Sequence, residues 1–279
     1  MHPFVEFSIF RFPTYGLMMM AGVGAVFGLV SILCGKLFSR KRKADRMDTL
    51  LTCAIILLGA MLGAIMLRPI MKIPEVIFRW GYFSQIPISE TLSYVFGEIV
   101  FYGGLIGGAA AAVIFCRKYR IPILPTLDAI APAVPLGHAF GRVGCLMAGC
   151  CYGMEVNYDH PFAVIYPEIS LAAPPGIPLL ALQAIEAGSL FFISMIVVTS
   201  YVTTRTKGLC LGLYLALYSI LRFNLEFFRG DPIRGLYGPF STSQYISIAI
   251  FIISVTLICI MLRDSFSKRR NLDISDKME

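Results

Sequence analysis

An arginine, a histidine and three cysteines fall within one otherwise apolar stretch. His138, Arg142, Cys145, Cys150 and Cys151 lie among glycines at 137, 141, 144, 149 and 153. Hydrocarbon penalises a charge near its centre by ~2.5 kcal/mol or more, so such groups serve a function or an essential contact of the fold. The glycines let another backbone or a ligand come close. Further polar residues recur at helical spacing. Glu98 and Tyr102 are four apart and precede Gly103-Gly104 and Gly107-Gly108; Gln183 and Glu186 are three apart. Arg222, Glu226 and Arg229 form one expected helical stripe, and Tyr15 follows Arg11 and Pro13. An internal ion pair or hydrogen bond accounts for most of these taken singly. Arg142 and Arg229 fit that account less well, because both are flanked by glycine. Two guanidiniums over a glycine-lined cavity at headgroup depth suit a phosphate, which arginine grips bidentately. A phospholipid carries such a phosphate at that depth.

The remaining cysteines, Cys34, Cys53, Cys116, Cys210 and Cys259, are isolated, and small buried hydrophobes explain them. The cluster of Cys145, Cys150 and Cys151 leaves three readings open: packing, a disulfide in an oxidising compartment, or metal binding or catalysis. Its C-x4-C-C spacing is not a usual zinc pattern, and histidines near it are few.

These residues must be held by membrane-spanning helices. The 279 residues are 57% hydrophobic, with a mean hydropathy of +0.75. Apolar runs near the ~20 residues needed to cross a bilayer recur along the chain. The expectation is an all-α integral membrane protein of about seven spans, near 14–35, 48–67, 92–116, 125–148, 178–201, 208–227 and 242–262. Pro132, Pro135 and the polar group interrupt the fourth, as is tolerated where backbone faces protein or a wet cavity. No soluble domain fits between spans, so residues 1–279 read as one membrane domain with a basic tail over 264–279. The first span lacks a basic n-region and a small-residue cleavage site, and reads as retained.

Basic residues set the expected orientation. Lys36, Arg40, Lys41, Arg42, Lys43 and Arg46 follow the first span, Arg117, Lys118 and Arg120 the third, and Arg205 and Lys207 the fifth. With Arg263, Lys268, Arg269, Arg270 and Lys277 of the tail, these are 16 of the 24 lysines and arginines. That face reads as cytoplasmic, placing the N-terminus outside and the C-terminus inside. The net charge of +7 then reflects topology and anionic headgroups. It does not indicate nucleic acid, because no basic face is combined with base-stacking aromatics.

Five ordered blocks carry a resemblance to a known family. They are Phe12-Pro13-Thr14-Tyr15-Gly16-Leu17-Met18, Phe101-Tyr102-Gly103-Gly104-Leu105-Ile106-Gly107, Gly141-Arg142-Val143-Gly144-Cys145 with Gly153, Gln183-Ala184-Ile185-Glu186, and Arg222-Phe223-Asn224-Leu225-Glu226-Phe227-Phe228-Arg229. Together they resemble the prolipoprotein diacylglyceryl transferases, seven-span bacterial enzymes that move a diacylglyceryl group from phosphatidylglycerol to a lipoprotein cysteine. The resemblance covers most of the chain. It implies that Arg142 and Arg229 hold the phosphatidylglycerol headgroup, with Tyr15, Gly153 and Glu226 in support. It further implies that Gly103 and Gly104 line the lipid cavity, and that the protein resides in the bacterial inner membrane. Three positions depart from the family's pattern. Cys145 stands in place of an asparagine, Cys150 in place of an acid, and Tyr102 in place of a histidine proposed to help activate the thiol.

The family reaction needs an ionised acceptor thiol, attack on the glyceryl carbon, and stabilisation of the departing glycerol phosphate. His138, one turn before Arg142, is the expected substitute base, since an imidazole suits proton transfer at neutral pH. The alternative is a hydrogen bond within the fourth span. Tyr102 is expected to donate a hydrogen bond to the lipid. No nucleotide loop, haem motif or clear metal set is present, so no cofactor is expected. The expected partners are phosphatidylglycerol, the lipobox cysteine region of prolipoproteins, and membrane lipids. Two alternatives stand beside this reading: a related phospholipid-dependent transferase with a different acceptor, and a non-catalytic lipid-binding or transport protein.

Overall fold

The computed structural model describes residues 4–7, 10–35, 45–97, 100–230 and 236–275. Within hydrocarbon only a segment's own amides can satisfy its backbone, so long apolar runs fold as helices. Six helical segments are long and apolar enough to cross a membrane: Thr14–Leu33, Arg46–Phe78, Ile123–Ala148, Leu182–Thr203, Leu209–Phe228 and Thr242–Ser265. Many of their large apolar side chains point outward, among them Met20, Met61, Leu62, Ile252 and Ile253. A lipid solvent permits that exposure.

The described residues form two compact units, Met1–Arg42 with Leu127–Glu279, and Lys43–Thr126. The first contains a hairpin of β1 (Phe4–Phe7) and β2 (Phe10–Pro13), then α1 (Thr14–Leu33). The second contains α2 (Arg46–Phe78), α3 (Trp80–Phe83), α4 (Ile88–Phe96) and α5 (Phe101–Lys118). Short α6 (Ile123–Ile130) leads back to the first unit. There α7 (Ala133–Ala148), β3 (Ala163–Ile165), β4 (Pro178–Leu180), α8 (Leu182–Thr203) and α9 (Leu209–Leu225) follow. A 3-10 turn over Glu226–Phe228, a hairpin of β5 (Leu236–Tyr237) and β6 (Phe240–Ser241), and α10 (Thr242–Ser275) complete it. The three antiparallel strand pairs correct the all-α expectation; the protein is mostly helical.

The second unit also departs from expectation. The span expected over 92–116 is two helices. α4 ends at Gly97, and the Val100 N–H leaves the helical ladder to donate to Ala64 O of α2 at 3.0 Å. Glu98 lies outside the described residues. α2 starts at Asp45, whose side chain accepts from the Met47 and Asp48 amides, a cap worth ~1 kcal/mol. It then continues through Pro69 and Pro74, well beyond the expected end near residue 67. Its extension is tied to α4, because Lys72 Nζ donates to Tyr94 Oη at 2.8 Å and Arg68 Nε to the Tyr94 carbonyl at 3.0 Å. α2 and α5 meet through glycines. A Cβ on Gly63 would strike the Gly103 carbonyl oxygen, and one on Gly107 would strike that of Gly59. Two backbones this close leave no room for side chains, the arrangement that small-x-x-x-small spacing permits.

In the first unit the expected fourth span is broken at Ala131-Pro132, between α6 and α7. The break is satisfied locally, since Ser194 Oγ of α8 donates to the Pro132 carbonyl at 2.7 Å. α7 lies against α1, where a Cβ on Gly22 would sit 3.1 Å from the Gly137 carbonyl. It packs against α8 and α9 through Ala139, Ala187 and Leu190, with Tyr218 and Leu221 alongside. Asp128 is fully buried at the foot of this layer. Its carboxylate accepts from the amides of Gly208, Cys210 and Leu211 at 2.6, 3.0 and 3.1 Å. It thereby caps the N-terminus of α9 with charge of the favoured sign.

Candidate active site

α7 presents its polar residues at helical spacing to α8. Arg142 Nε lies 3.0 Å from Glu186 Oε2, with the side chains 15% and 3% exposed. The same Nε donates to His138 Nε2 at 3.3 Å, so that imidazole nitrogen carries the lone pair. His138 packs edge-on against Tyr218 of α9, their ring centroids 5.4 Å apart. Both of these contacts use Nε, and Tyr218 also lies within reach of the guanidinium. An arginine held in this way presents a planar fork that suits two oxygens of an anion. A buried arginine with one buried carboxylate is a pair whose geometry depends on both members.

After α7 the chain turns sharply. Gly149 adopts the left-handed conformation (φ 74°, ψ 40°) and sends its N–H back to the Cys145 carbonyl. Cys151 is also left-handed, at φ 58°, a conformation that strains a residue bearing a Cβ. Buried Gln183 holds the turn. Its Nε2 donates to the Cys150 carbonyl at 2.6 Å and to Tyr166 Oη at 3.1 Å. Burial, ahead of the opposing hydrogen bond from Gln183, raises the pKa of the Tyr166 phenol above its ordinary value. In consequence the sulfurs of Cys145, Cys150 and Cys151 all lie within 4.8 Å of one another. Hydrogen bonds from Cys145 and then Cys150, followed by the charges of Arg142 and Arg229, pull the Cys151 thiol below its ordinary range. Tyr15 of α1 completes this side. Its ring packs over Gly144, and it lies within electrostatic reach of Arg142 and all three cysteines.

Arg229 reaches this cluster by a route that a helical stripe does not describe. α9 ends at Leu225, a 3-10 turn follows, and Arg229 is extended (φ −72°, ψ 138°). The expected stripe therefore stops at Glu226, whose carboxylate pairs with Arg222 at 2.7 Å. Backbone bridging to Gly153 positions Arg229 instead. The Met154 amide donates to the Phe228 carbonyl at 2.8 Å, and the Gly230 amide to the Tyr152 carbonyl at 3.1 Å. A Cβ on Gly153 would stand 2.7 Å from both Leu180 Cβ and the Leu180 carbonyl, and one on Gly230 would strike the Gly153 carbonyl. Only glycines allow this close crossing of strands. Phe228 also lines an apolar hollow of about 350 Å³ with Met154, Leu180, Leu182, Ile185 and Leu225.

The first unit thus brings together His138, Arg142, Cys145, Cys150, Cys151, Gly153, Arg229 and Tyr15. Tyr102, Gly103 and Gly104 belong to the second unit. Tyr102 is 41% exposed on α5. Gly103 is occupied by contact with Gly63 and Leu67, and Gly104 approaches Ala60, so α2 covers the glycines expected to line a lipid cavity.

With this geometry in view, the sequence comparisons are decisive. The prolipoprotein diacylglyceryl transferase sequence model matches residues 4–260. The chain belongs to this family. It is 34% identical over 255 residues to phosphatidylglycerol–prolipoprotein diacylglyceryl transferase 2 of Clostridium perfringens, covering 90% of this chain and 92% of that one. The Clostridium tetani enzyme is 31% identical over 252 residues, covering 90% and 94%, and that of Geobacter sulfurreducens 28% over 263 residues, covering 93% and 95%. This family member is a multi-pass membrane protein.

Three features of the site went unnoticed in the sequence. Asp128 and Tyr218 are polar residues within expected spans, a sufficient signal in principle. Tyr166 lies in the long connection before α8, where nothing marks it.

Proposed function

We propose that the protein transfers the diacylglyceryl group of phosphatidylglycerol to the lipobox cysteine of prolipoproteins. A thioether forms and glycerol phosphate leaves. The observation that carries this reading is that Arg142, tied to Glu186 and His138, and Arg229, held through its backbone at Gly153, are both within electrostatic reach of Cys151. Two guanidiniums from separate elements suit a phosphate. The acceptor thiolate attacks the glyceryl carbon, the carbon–oxygen bond to phosphate breaks, and the electron pair passes to a phosphate oxygen. Positioned charge in a low-dielectric site stabilises that oxygen. The apolar hollow beside Phe228 suits an acyl chain or the hydrophobic part of a signal peptide. Tyr15, Gly153 and Glu226 support the site through the packing, strand crossing and ion pair described above; Tyr102, exposed on α5, is assigned to lipid contact, and Gly103 and Gly104 to the packing of α5 on α2.

His138 is assigned primarily to orienting Arg142, because its Nε2 already accepts from that guanidinium. If so, His138→Gln, which retains an acceptor, keeps more transfer than His138→Ala. Equal and complete loss in both would identify a base instead. In the membrane, seven crossings with the N-terminus outside and the C-terminus in the cytoplasm agree with the basic flanks. α5, at 18 residues, rises ~27 Å and supplies the seventh crossing. The bacterial inner membrane is the assigned location.

The test is transfer of labelled diacylglycerol from phosphatidylglycerol vesicles to a lipobox peptide by purified protein. Arg142→Lys and Arg229→Lys keep the charge but lose the bidentate fork. Each is expected to lower turnover by about two to three orders of magnitude. Undiminished transfer in both would remove the phosphate grip. Absence of transfer by folded wild type would favour a different acceptor, a reading that the cysteine cluster supports.

A further inference from the structure

We infer that Cys145, Cys150 and Cys151 form a three-thiolate zinc site whose open fourth position takes the acceptor cysteine of the transfer reaction. The site itself stands on geometry; its role with the acceptor rests on the proposed function.

Zinc–sulfur bonds of ~2.3 Å in a tetrahedron place sulfurs about 3.8 Å apart. All three sulfurs here lie within 4.8 Å of one another, so small side-chain rotations close the shell. A disulfide would use two of them and leave the third. The spacing looks unsuitable along the chain because the ligands are not on one regular element. The end of α7 provides the first. The left-handed Gly149 then reverses the chain, and the left-handed Cys151 turns the third thiol back towards the other two. The clamp of Gln183 on the Cys150 carbonyl fixes this turn from α8. Softness selects the ion, since thiolates favour zinc(II) or copper(I) over the oxygen-seeking magnesium and calcium. Zinc is preferred because three protein ligands leave it one position for substrate, as in catalytic zinc sites.

Charge supports the same assignment. Three thiolates and a dication sum to one negative charge, and Arg142 and Arg229 both lie within electrostatic reach of Cys151. Chemistry supplies the purpose. At neutral pH an ordinary thiol is mostly protonated, and a thiol coordinated to zinc is deprotonated outright. The acceptor thiol would displace zinc-bound water and release its proton to solvent. Its sulfur would then form the bond to the glyceryl carbon while glycerol phosphate departs with the electron pair. Zinc remains divalent throughout, and the neutral thioether leaves it as a weaker ligand. The site thus provides the thiol activation that Tyr102 does not, and for which His138, engaged with Arg142, is not free.

The experiment uses full-length protein in detergent, reduced and stripped with a chelator under argon, then titrated with cobalt(II) and afterwards zinc(II). One cobalt per chain is expected, with thiolate-to-cobalt charge-transfer absorption in the near ultraviolet, bleached by zinc. The band should be lost in Cys145→Ser, Cys150→Ser and Cys151→Ser, and kept in Cys259→Ser. A wild type without the band, a band that survives in the triple serine variant, or a reduced chain that takes up no metal and reoxidises to a disulfide overturns the site. Addition of a lipobox cysteine peptide should intensify the band as a fourth thiolate binds, and its serine analogue should not. A spectrum unchanged by the cysteine peptide overturns the acceptor role. The transfer assay is scored separately: transfer by metal-free protein leaves the proposed function standing and overturns the acceptor role, and metal binding without transfer leaves the site standing and overturns the proposed function together with the acceptor role that rests on it.

Discussion

Two helix seams in this protein solve one problem in opposite ways. Between α2 and α5 the backbones meet closely at Gly59, Gly63, Gly103 and Gly107, with apolar side chains such as Leu67 and Ala111 beside them. Between α7 and α8 the contact is made by polar groups, with Arg142 on Glu186 and Ser194 on the Pro132 carbonyl. Lipid tails are as apolar as leucine, so burying apolar surface gives neither seam an advantage over lipid contact. The first seam therefore depends on shape and should fail when atoms are added. The second depends on partners and should fail when atoms are removed. Only the second leaves charged groups that a substrate can use.

That contrast can be broken experimentally. The largest expected effect is from Arg142→Ala, which strands the buried Glu186 carboxylate and should cost about 3–5 kcal/mol in detergent unfolding. The double variant Arg142→Leu with Glu186→Leu should recover most of that stability and no transfer activity. A double variant as unstable as the single would mean that the charges hold the seam rather than serve the site. Gly63→Leu comes next, at about 3 kcal/mol, because its side chain must displace the α5 backbone. If Gly63→Leu melts like wild type, the shape-based account of α2 and α5 is wrong. Asp128→Asn should cost about 2 kcal/mol by weakening three charge-assisted bonds at the start of α9. Hydrogen exchange should then quicken at Gly208–Leu211; unchanged protection there would deny Asp128 the capping role. Ser194→Ala is the mildest, at about 0.6–1 kcal/mol, as befits one hydrogen bond between membrane helices. A loss several times larger would show that the break at Pro132 depends on this single donor.

Much of this architecture is legible residue by residue. The spans on α1, α7, α8, α9 and α10 follow from apolar length, and the break near Pro132 from proline chemistry. Arg142, Glu186, Gln183 and Gly153 stand out as polar or glycine positions within or beside apolar runs. Other features were illegible for identifiable reasons. The division between α4 and α5 depends on a backbone bond from Val100 to Ala64 of another helix. Periodicity alone put Arg229 on the stripe of Arg222 and Glu226, but the helix ends first and strand pairing to Gly153 positions the arginine.

By itself, the sequence determined which segments can enter the bilayer, the asymmetry of their basic flanks, and the family to which the chain belongs. Those are properties of single segments, set by hydrocarbon thickness and the cost of an unsatisfied amide. The tertiary structure alone decided that Glu186 is the partner of Arg142, that Asp128 caps a helix 80 residues away, and that three cysteines of unpromising spacing bring their sulfurs together. Each of those outcomes depends on which distant backbone or charge stands opposite, a choice made by packing between helices and not encoded in the period of any one of them.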